Sequence, residues 1–198
     1  MVLQELFEQR GVVLRNGHFR LTTGRHSDTY VNKDRIFSDP ILFKTVLSSM
    51  LSELCGDFLF DVVTGPAIAG AILASPLAVM TGKIFVYPEK VMKNPLAGNP
   101  YEWEKMKFRR GYDKVVKNNN ILIVEDVITT GISVQRTIDA IEKDGGMISG
   151  VACIWNRSGW STDLCEVKSL IHEELDSWWP EECPYCKEGV ELMDPKDA

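Results

Sequence analysis

The segment Ile121-Leu122-Ile123-Val124-Glu125-Asp126-Val127-Ile128-Thr129-Thr130-Gly131-Ile132-Ser133 constrains the fold more than any other stretch of the chain. Four apolar residues in succession, without alternation, describe a strand covered on both faces, as in the middle of a parallel sheet. Two adjacent acids then end that strand, and a Thr-Thr-Gly turn leads into a helix beginning near Ser133. Parallel neighbours need crossover connections, so a chain with such a strand must alternate strands and helices.

The remaining sequence supplies that alternation. Leu3, Leu6 and Phe7 share one face of an N-terminal helix over residues 2–10 that Gly11 closes, and residues 17–34 read as two short strands around a polar loop. Asp39-Pro40 places an N-cap before a proline at the first helical position, and Ile41, Leu42, Val46, Met50 and Leu54 carry helical spacing to Gly56. Val62-Val63 is a buried strand running through Thr64-Gly65-Pro66 into a helix over 67–80, and Ile84–Tyr87 is a further strand. Val134, Ile138 and Ile141 mark the next helix, closed by Gly145-Gly146, and Gly150–Trp155 is one more strand. The expected architecture is a doubly wound α/β sheet, with ligands at the carboxyl ends of its strands, in the loops after Val63, Tyr87, Val124 and Trp155. One domain over residues 1–180 is expected, with an acidic, fraying tail over 181–198. Residues 88–104, interrupted by Pro95, Gly98 and Pro100, read as a long polar loop, either a mobile lid or a surface insertion.

Composition excludes several function classes. Against 22 Lys and Arg stand 28 Asp and Glu, a formal charge of -6, so binding to nucleic acid through global positive charge is not expected and an anion must be held by local features. No apolar run is long enough for a membrane span, and the first residues lack the basic start of a signal peptide. Five cysteines, an odd and scattered set, do not form a secreted disulfide framework, and a reducing cytoplasm is the expected compartment.

What the Val124–Ser133 turn can do chemically follows from its groups. Successive backbone amides, the hydroxyls of Thr129, Thr130 and Ser133 and a helix N-terminus all favour a phosphate dianion, and Gly131 allows close approach of the backbone. Glu125 and Asp126, a few residues upstream, are placed to accept hydrogen bonds from sugar hydroxyls of the same ligand, so a phosphorylated ribose fits the spacing. Other nucleotide motifs fail: Gly65–Gly70 has the glycine spacing of a Walker A loop, but Ala71 and Ile72 stand where lysine and a hydroxyl residue belong.

On these residues the sequence resembles the type I phosphoribosyltransferases, whose signature is a four-apolar, two-acidic, Thr-Thr-Gly segment that binds 5-phosphoribosyl 1-pyrophosphate. The stretch Gly17–Tyr30 is similar to the N-terminal hood over the base in the orotate branch, and Asn156-Arg157-Ser158-Gly159 sits where that branch places an arginine on the orotate carboxylate. The resemblance, from about Gly11 to Gly159, implies an α/β phosphoribosyltransferase fold, a mainly parallel sheet flanked by helices with a small hood over residues 11–35. It implies Mg2+ as cofactor and transfer of the phosphoribosyl group to orotate, by attack of the base nitrogen on C1 as pyrophosphate leaves. It assigns Glu125 and Asp126 to the ribose, with Asp126 among the catalytic residues, and Thr129, Thr130, Gly131 and Ser133 to the 5-phosphate. Gly65, Pro66 and Ala67 fall in the pyrophosphate loop, Tyr30 on the hood and Arg157 on the base. It also implies a homodimer in which a mobile loop reaches the neighbouring site.

Two departures from the family pattern bear on the substrate. The orotate loop Arg-Lys-x-x-Lys-x-His-Gly is here Tyr87–Pro95, keeping the Lys-x-x-Lys spacing in Lys90 and Lys93 without the arginine and histidine. Lys93 is read as the catalytic lysine and Lys90 as a pyrophosphate contact, with Arg109 and Arg110 able to supply the missing charge. Thr22 stands where many relatives have lysine. The alternatives left open are another nucleobase, or a regulator that senses phosphoribosyl pyrophosphate without catalysis. Attraction of a polyanion to an acidic chain requires Arg25, Lys33, Lys90, Lys93, Arg109 and Arg110 to gather locally. Cys183-Pro184-Tyr185-Cys186 has the spacing of half a zinc site, which Cys165 or His172 would complete, although free thiols are the simpler reading and the metal is left unassigned. His18, His26 and His172 show no nucleophile–base spacing, and Trp178-Trp179 reads as a packing or dimer patch.

Overall fold

The computed structural model describes residues 3–21, 23–92 and 103–194, without the side chains of Trp103 and Glu104. The chain divides into two compact units, one of residues 1–44 with 173–198, the other of residues 45–172.

In the first unit, α1 (Leu3–Gln9) buries Phe7 and is followed by β1 (Val13–Leu14), β2 (Phe19–Arg20), β3 (His26–Ser27) and β4 (Tyr30–Val31). The hairpin β2/β3 and the pair β1/β4 are antiparallel. Then come α2 (Asp34–Ser38) and α3 (Pro40–Ser49), whose residues from Thr45 onward belong to the second unit. Asp39 caps α3 as its sequence position predicts, its Oδ1 accepting from the amides of Ile41 and Leu42 at 2.9 and 3.0 Å. The helix does not run unbroken to Gly56: at Met50 it widens into a π-helical turn and at Cys55 tightens into a 3-10 turn.

The second unit carries the sheet. Its elements are β5 (Val62–Thr64), α4 (Ala69–Thr81), β6 (Ile84–Phe85), β7 (Glu89–Met92), β8 (Trp103–Lys107), α5 (Tyr112–Val116), β9 (Asn120–Ile128), α6 (Ile132–Lys143), β10 (Met147–Asn156) and β11 (Val167–His172). Five strands, in the order β11-β10-β9-β5-β6, form one sheet in which every pairing is parallel. From Ile121 to Val124 every side chain of β9 is 0% exposed, which explains the unbroken apolar run. Val62, Ile121, Ile123, Val151 and Ile138 lie in one core cluster, and truncating any of these isoleucines to alanine costs about 2–5 kcal/mol.

Three expectations need correction. Strand β9 does not stop at the acids; it continues to Ile128 because β10 is long enough to pair beyond them, Glu125 opposite Cys153 and Ile128 opposite Asn156. The stretch 88–104 is not loop throughout: its two ends belong to the antiparallel ribbon β7/β8, Glu89 opposite Lys107 and Lys90 opposite Met106. On β8 Met106 turns to the core, with Phe108 just beyond it, while Lys105 and Lys107 are exposed.

The third correction concerns the tail, which is paired where fraying was expected. Residues 173–194 return to the first unit: Trp178 bridges His26, Met193 bridges Phe19, and Arg20 meets Asp194 at 2.8 Å. Between those bridges lies the short helix α7 (Pro184–Lys187). Among the described residues, no helix is long and apolar enough to cross a membrane.

Candidate active site

The strand order places a topological switch between β5 and β9: the chain leaves β5 toward β6 on one side and β9 toward β10 and β11 on the other. Crossovers diverge there, so a crevice opens beyond the carboxyl ends of those two strands. Both candidate loops start at it, residues 64–70 after β5 and residues 129–133 after β9.

Close packing explains the glycines of the first loop. A Cβ on Gly65 would lie 2.4 Å from the Gly70 carbonyl oxygen and 2.6 Å from that of Val124, and one on Gly70 would lie 2.7 Å from the latter. The loop therefore curls on itself and rests on β9 one residue before the acids, a fit that any side chain would destroy. Pro66 is buried and Ala67 half-buried, and the Ala67–Ile68 peptide is cis. Thr64 Oγ1, wholly buried at the end of β5, has no hydrogen-bond partner among the described residues.

The second loop has the geometry of a phosphate cradle. Gly131, at φ +71°, sets the turn from which α6 departs, and Gln135 N–H donates to its carbonyl at 2.8 Å. By helix geometry the amides of Ile132, Ser133 and Val134 have no acceptor inside α6, and they carry the positive end of its dipole. Thr129 and Ser133 are half-buried, Thr130 is exposed, and Glu125 and Asp126 are 6% and 5% exposed. Carboxylates are rarely so buried without partners. Here the Asp126 amide donates to Glu125 Oε1 at 3.1 Å and the Val127 amide to Asp126 Oδ1 at 2.7 Å. Beside them Cys153 is fully buried, and burial, then the charges of Glu125 and Asp126, push its thiol pKa up, so it stays a neutral packing residue.

A third loop, after β10, carries Arg157. Its amide donates to the Ile128 carbonyl at 3.0 Å, which ties this loop to the end of β9, and the residue is 4% exposed, so it is not a surface ion-pair arginine. Asn156 shapes the turn: its Nδ2 donates to the Trp160 carbonyl at 2.9 Å and its Oδ1 accepts from the Trp160 amide at 3.2 Å. Trp160 is thereby laid on Gly131, where a Cβ would come within 2.1 Å of its Nε1. Trp160 is not singled out by the sequence, and Asn156 and Thr64 appear there only as members of longer motifs. The one available signal was Asn156 immediately after an apolar strand, a common turn former.

Two of the basic residues are engaged by an acid of the ribbon. Arg110 Nη2 and Arg109 Nε pair with Glu89 at 2.9 and 3.8 Å, which partly neutralises both at the base of the ribbon. Lys90 is exposed on β7, while Lys93 and Thr22 lie outside the described residues. In the first unit Tyr30 is half-buried against Phe19, and Arg25 is engaged by Ser177 and stacked over the Trp179 ring at 5.1 Å. The carboxylates of Glu125 and Asp126 and the partnerless Thr64 hydroxyl are hard oxygen donors, the kind Mg2+ takes together with substrate phosphates, so the residues present fit that ion.

Residues 43–185 match the phosphoribosyl transferase domain. Over 192 residues, 96% of this chain and 94% of the relative, the sequence is 37% identical to the orotate phosphoribosyltransferase of Caldanaerobacter subterraneus subsp. tengcongensis. It is 33% identical to that of Pelotomaculum thermopropionicum over 191 residues, covering 96% and 93% of the two chains. Among solved structures it resembles orotate phosphoribosyltransferase from Aeropyrum pernix, with a TM-score of 0.67 and 23% identity over 87% of this chain and 93% of that one. Adenine phosphoribosyltransferase from Thermoanaerobacter pseudethanolicus shares the fold too, with a TM-score of 0.59 and 23% identity over 73% and 88%. The fold thus serves enzymes named for different bases, whereas the near end-to-end sequence likeness lies with the orotate enzymes. A strand-end cradle of this composition, set inside a matched domain that spans most of the sequence, makes the chain a member of the type I phosphoribosyltransferase family.

Proposed function

We propose that the protein transfers the 5-phosphoribosyl group of 5-phosphoribosyl 1-pyrophosphate to orotate, giving orotidine 5-monophosphate and pyrophosphate in pyrimidine nucleotide synthesis. The observation that carries this reading is the meeting of two glycine-packed loops and a buried acid pair at one switch point, in a chain similar almost end to end to orotate phosphoribosyltransferases.

In this reading the cradle at residues 129–133 holds the 5-phosphate through the α6 amides and the hydroxyls of Thr129, Thr130 and Ser133. Glu125 and Asp126 accept hydrogen bonds from the ribose hydroxyls, and burial strengthens those bonds. The Gly65-Pro66-Ala67 loop turns its amides to the pyrophosphate. Bound Mg2+ neutralises pyrophosphate charge, and Thr64, Glu125 and Asp126 are the groups of this chain suited to it. The C1–O bond to pyrophosphate breaks as the base nitrogen bonds C1, and the oxocarbenium character that develops lies near Asp126. Catalysis rests on positioning and on charge placed where the leaving group forms. Lys93 acts on the departing pyrophosphate with Lys90 beside it, and Arg157 forks onto the orotate carboxylate while Tyr30 packs at the base.

The reading includes a homodimer in which the segment between β7 and β8 supplies its lysine to the neighbouring site, and a cytoplasmic setting. The same pairing of sites allows a mixing test, in which two inactive variants, Lys93→Ala and Asp126→Asn, regain part of the activity when combined.

Pyrophosphate release from phosphoribosyl pyrophosphate and Mg2+ tests the function against a panel of bases. Turnover with orotate alone is expected, falling by about 10²-fold or more in Lys93→Ala and Arg157→Ala. Turnover with a different base would discard orotate, and tight phosphoribosyl pyrophosphate binding without turnover on any base would make the protein a sensor.

A further inference from the structure

The partners that Cys183 and Cys186 find are not Cys165 and His172. They are His18 and His26, from the two sides of the β2/β3 hairpin, and one ligand atom from each of the four residues lies within 4.8 Å of all the others. His18 Nε2 is 3.0 Å from His26 Nδ1, 3.4 Å from Cys183 Sγ and 3.6 Å from Cys186 Sγ, and Cys186 Sγ is 3.2 Å from His26 Nδ1.

Hydrogen bonding alone does not account for this arrangement. His18 Nδ1 lies 2.9 Å from the Val190 carbonyl, which can only accept, so Nδ1 carries the proton and Nε2 offers a single lone pair. Three polar atoms converge on that one lone pair. A cation at the centre satisfies all four groups at once. Tetrahedral zinc, with bonds of about 2.0–2.1 Å to nitrogen and about 2.3 Å to sulfur, holds its ligand atoms about 3.3–3.8 Å apart, close to the four distances above. The carbonyl behind His18 is the outer partner that orients a metal-bound imidazole.

Three of the four groups are buried, and Cys186 forms the exposed edge of the cluster. His18, His26 and Cys183 are 1%, 5% and 0% exposed, and Tyr185 stacks on His18 at 5.6 Å. Cys183 begins the turn of α7, where Lys187 N–H donates to its carbonyl and Gly189 N–H to that of Cys186, so the turn presents both sulfurs on one side. The Cys-Pro-Tyr-Cys spacing also suits a dithiol redox site, but there the leading thiol must be accessible to its substrate. Here the leading cysteine is the buried one and is covered by two imidazoles.

The geometry points to a structural zinc site formed by His18, His26, Cys183 and Cys186, which clips the C-terminal segment to the N-terminal hairpin. Two thiols lose their protons on binding, so the two thiolates balance the charge of the divalent ion and the site is neutral. A unit this small, whose hairpin strands are two residues long, gains from such a staple part of what larger domains obtain from burial.

The inference is independent of which base the enzyme uses, and its test reads metal rather than turnover. The full chain, reduced, incubated with ZnCl2 and desalted, is expected to retain one zinc per chain by mass spectrometry of the metal, and Cys183→Ser/Cys186→Ser to retain none. Wild-type protein loaded with Co2+ gives a second reading that does not depend on the folding of that variant: intense visible bands of tetrahedral cobalt with thiolate charge transfer, displaced by one equivalent of zinc. No zinc on reduced wild type, zinc undiminished in the double variant, or a weak octahedral cobalt spectrum would overturn the proposal. So would a Cys183–Cys186 disulfide trapped by alkylation in cells.

Discussion

At the ends of β5 and β9 the groups assigned to the substrate by the proposed function come from two short stretches, residues 64–70 and 125–133, each at a strand end that leads into a helix. The cluster of His18, His26, Cys183 and Cys186 instead draws on residues up to 168 positions apart. In the first region backbone conformation does the placing, and the scaffold beneath is a sheet whose central strand is wholly buried. In the second, short strands and single bridges hold the frame, and closing the long loop between its ends is an entropic cost that specific contacts must offset. A substitution in the cradle should therefore damage chemistry with little change in stability, and one in the cluster should do the reverse.

The largest expected effect tests that contrast directly. Asp126→Asn keeps the shape of a buried side chain and removes its charge, so kcat/KM should fall by about 10²–10³-fold with the thermal midpoint nearly unchanged. Cys186→Ser should lower the midpoint by about 4 °C or more, equivalent to roughly 1 kcal/mol or above, in zinc-replete buffer. A large loss of stability in the first variant, or none in the second, breaks the comparison.

Next in size is Gly131→Ala. A methyl group there meets Trp160 Nε1 at 2.1 Å at a backbone angle of φ +71°, so the cradle must shift, and about 10²-fold loss in kcat/KM is expected. Trp160→Ala removes the clash but leaves the backbone penalty. A double-mutant cycle should show a coupling of about 1 kcal/mol or more, and additivity would mean that the indole does not shape the loop.

The smallest effect belongs to the cap of α3. The Leu42 amide, then the Ile41 amide and Arg10, hold the Asp39 carboxyl below the usual carboxylate pKa. A depressed folded pKa means that its stabilisation is complete above the ordinary value of about 3.9 and fades as pH falls through the folded value. Asp39→Ala should thus lower the thermal midpoint slightly at neutral pH, by a difference that closes in acid. A difference that persists or grows in acid would remove the ionised carboxylate from the cap.

Much of the sheet was legible because its signals are local. Ile121–Val124 announces a doubly covered strand, Asp39-Pro40 a helix start, and Thr129-Thr130-Gly131 a tight turn into α6, each from contiguous residues. The end of β9 was misread because acids beside a turn look solvated. Only the length of β10, seen in the pairing of Val127 with Trp155, shows that the strand continues and buries them. The ribbon β7/β8 escaped notice because its strands lie ten residues apart across a polar stretch, and pairing over such a distance leaves no periodic trace.

By itself the sequence determined the alternating architecture, the glycine turn from β9 into α6 and the family, since backbone turn chemistry and hydrophobic period act within a dozen residues. Tertiary structure alone decided that the acids sit buried above Cys153, that Asn156 lays Trp160 on Gly131, and that two histidines near the start of the chain meet two cysteines near its end. Such contacts depend on strand order and chain return, and the pattern that specifies them is spread over the whole molecule.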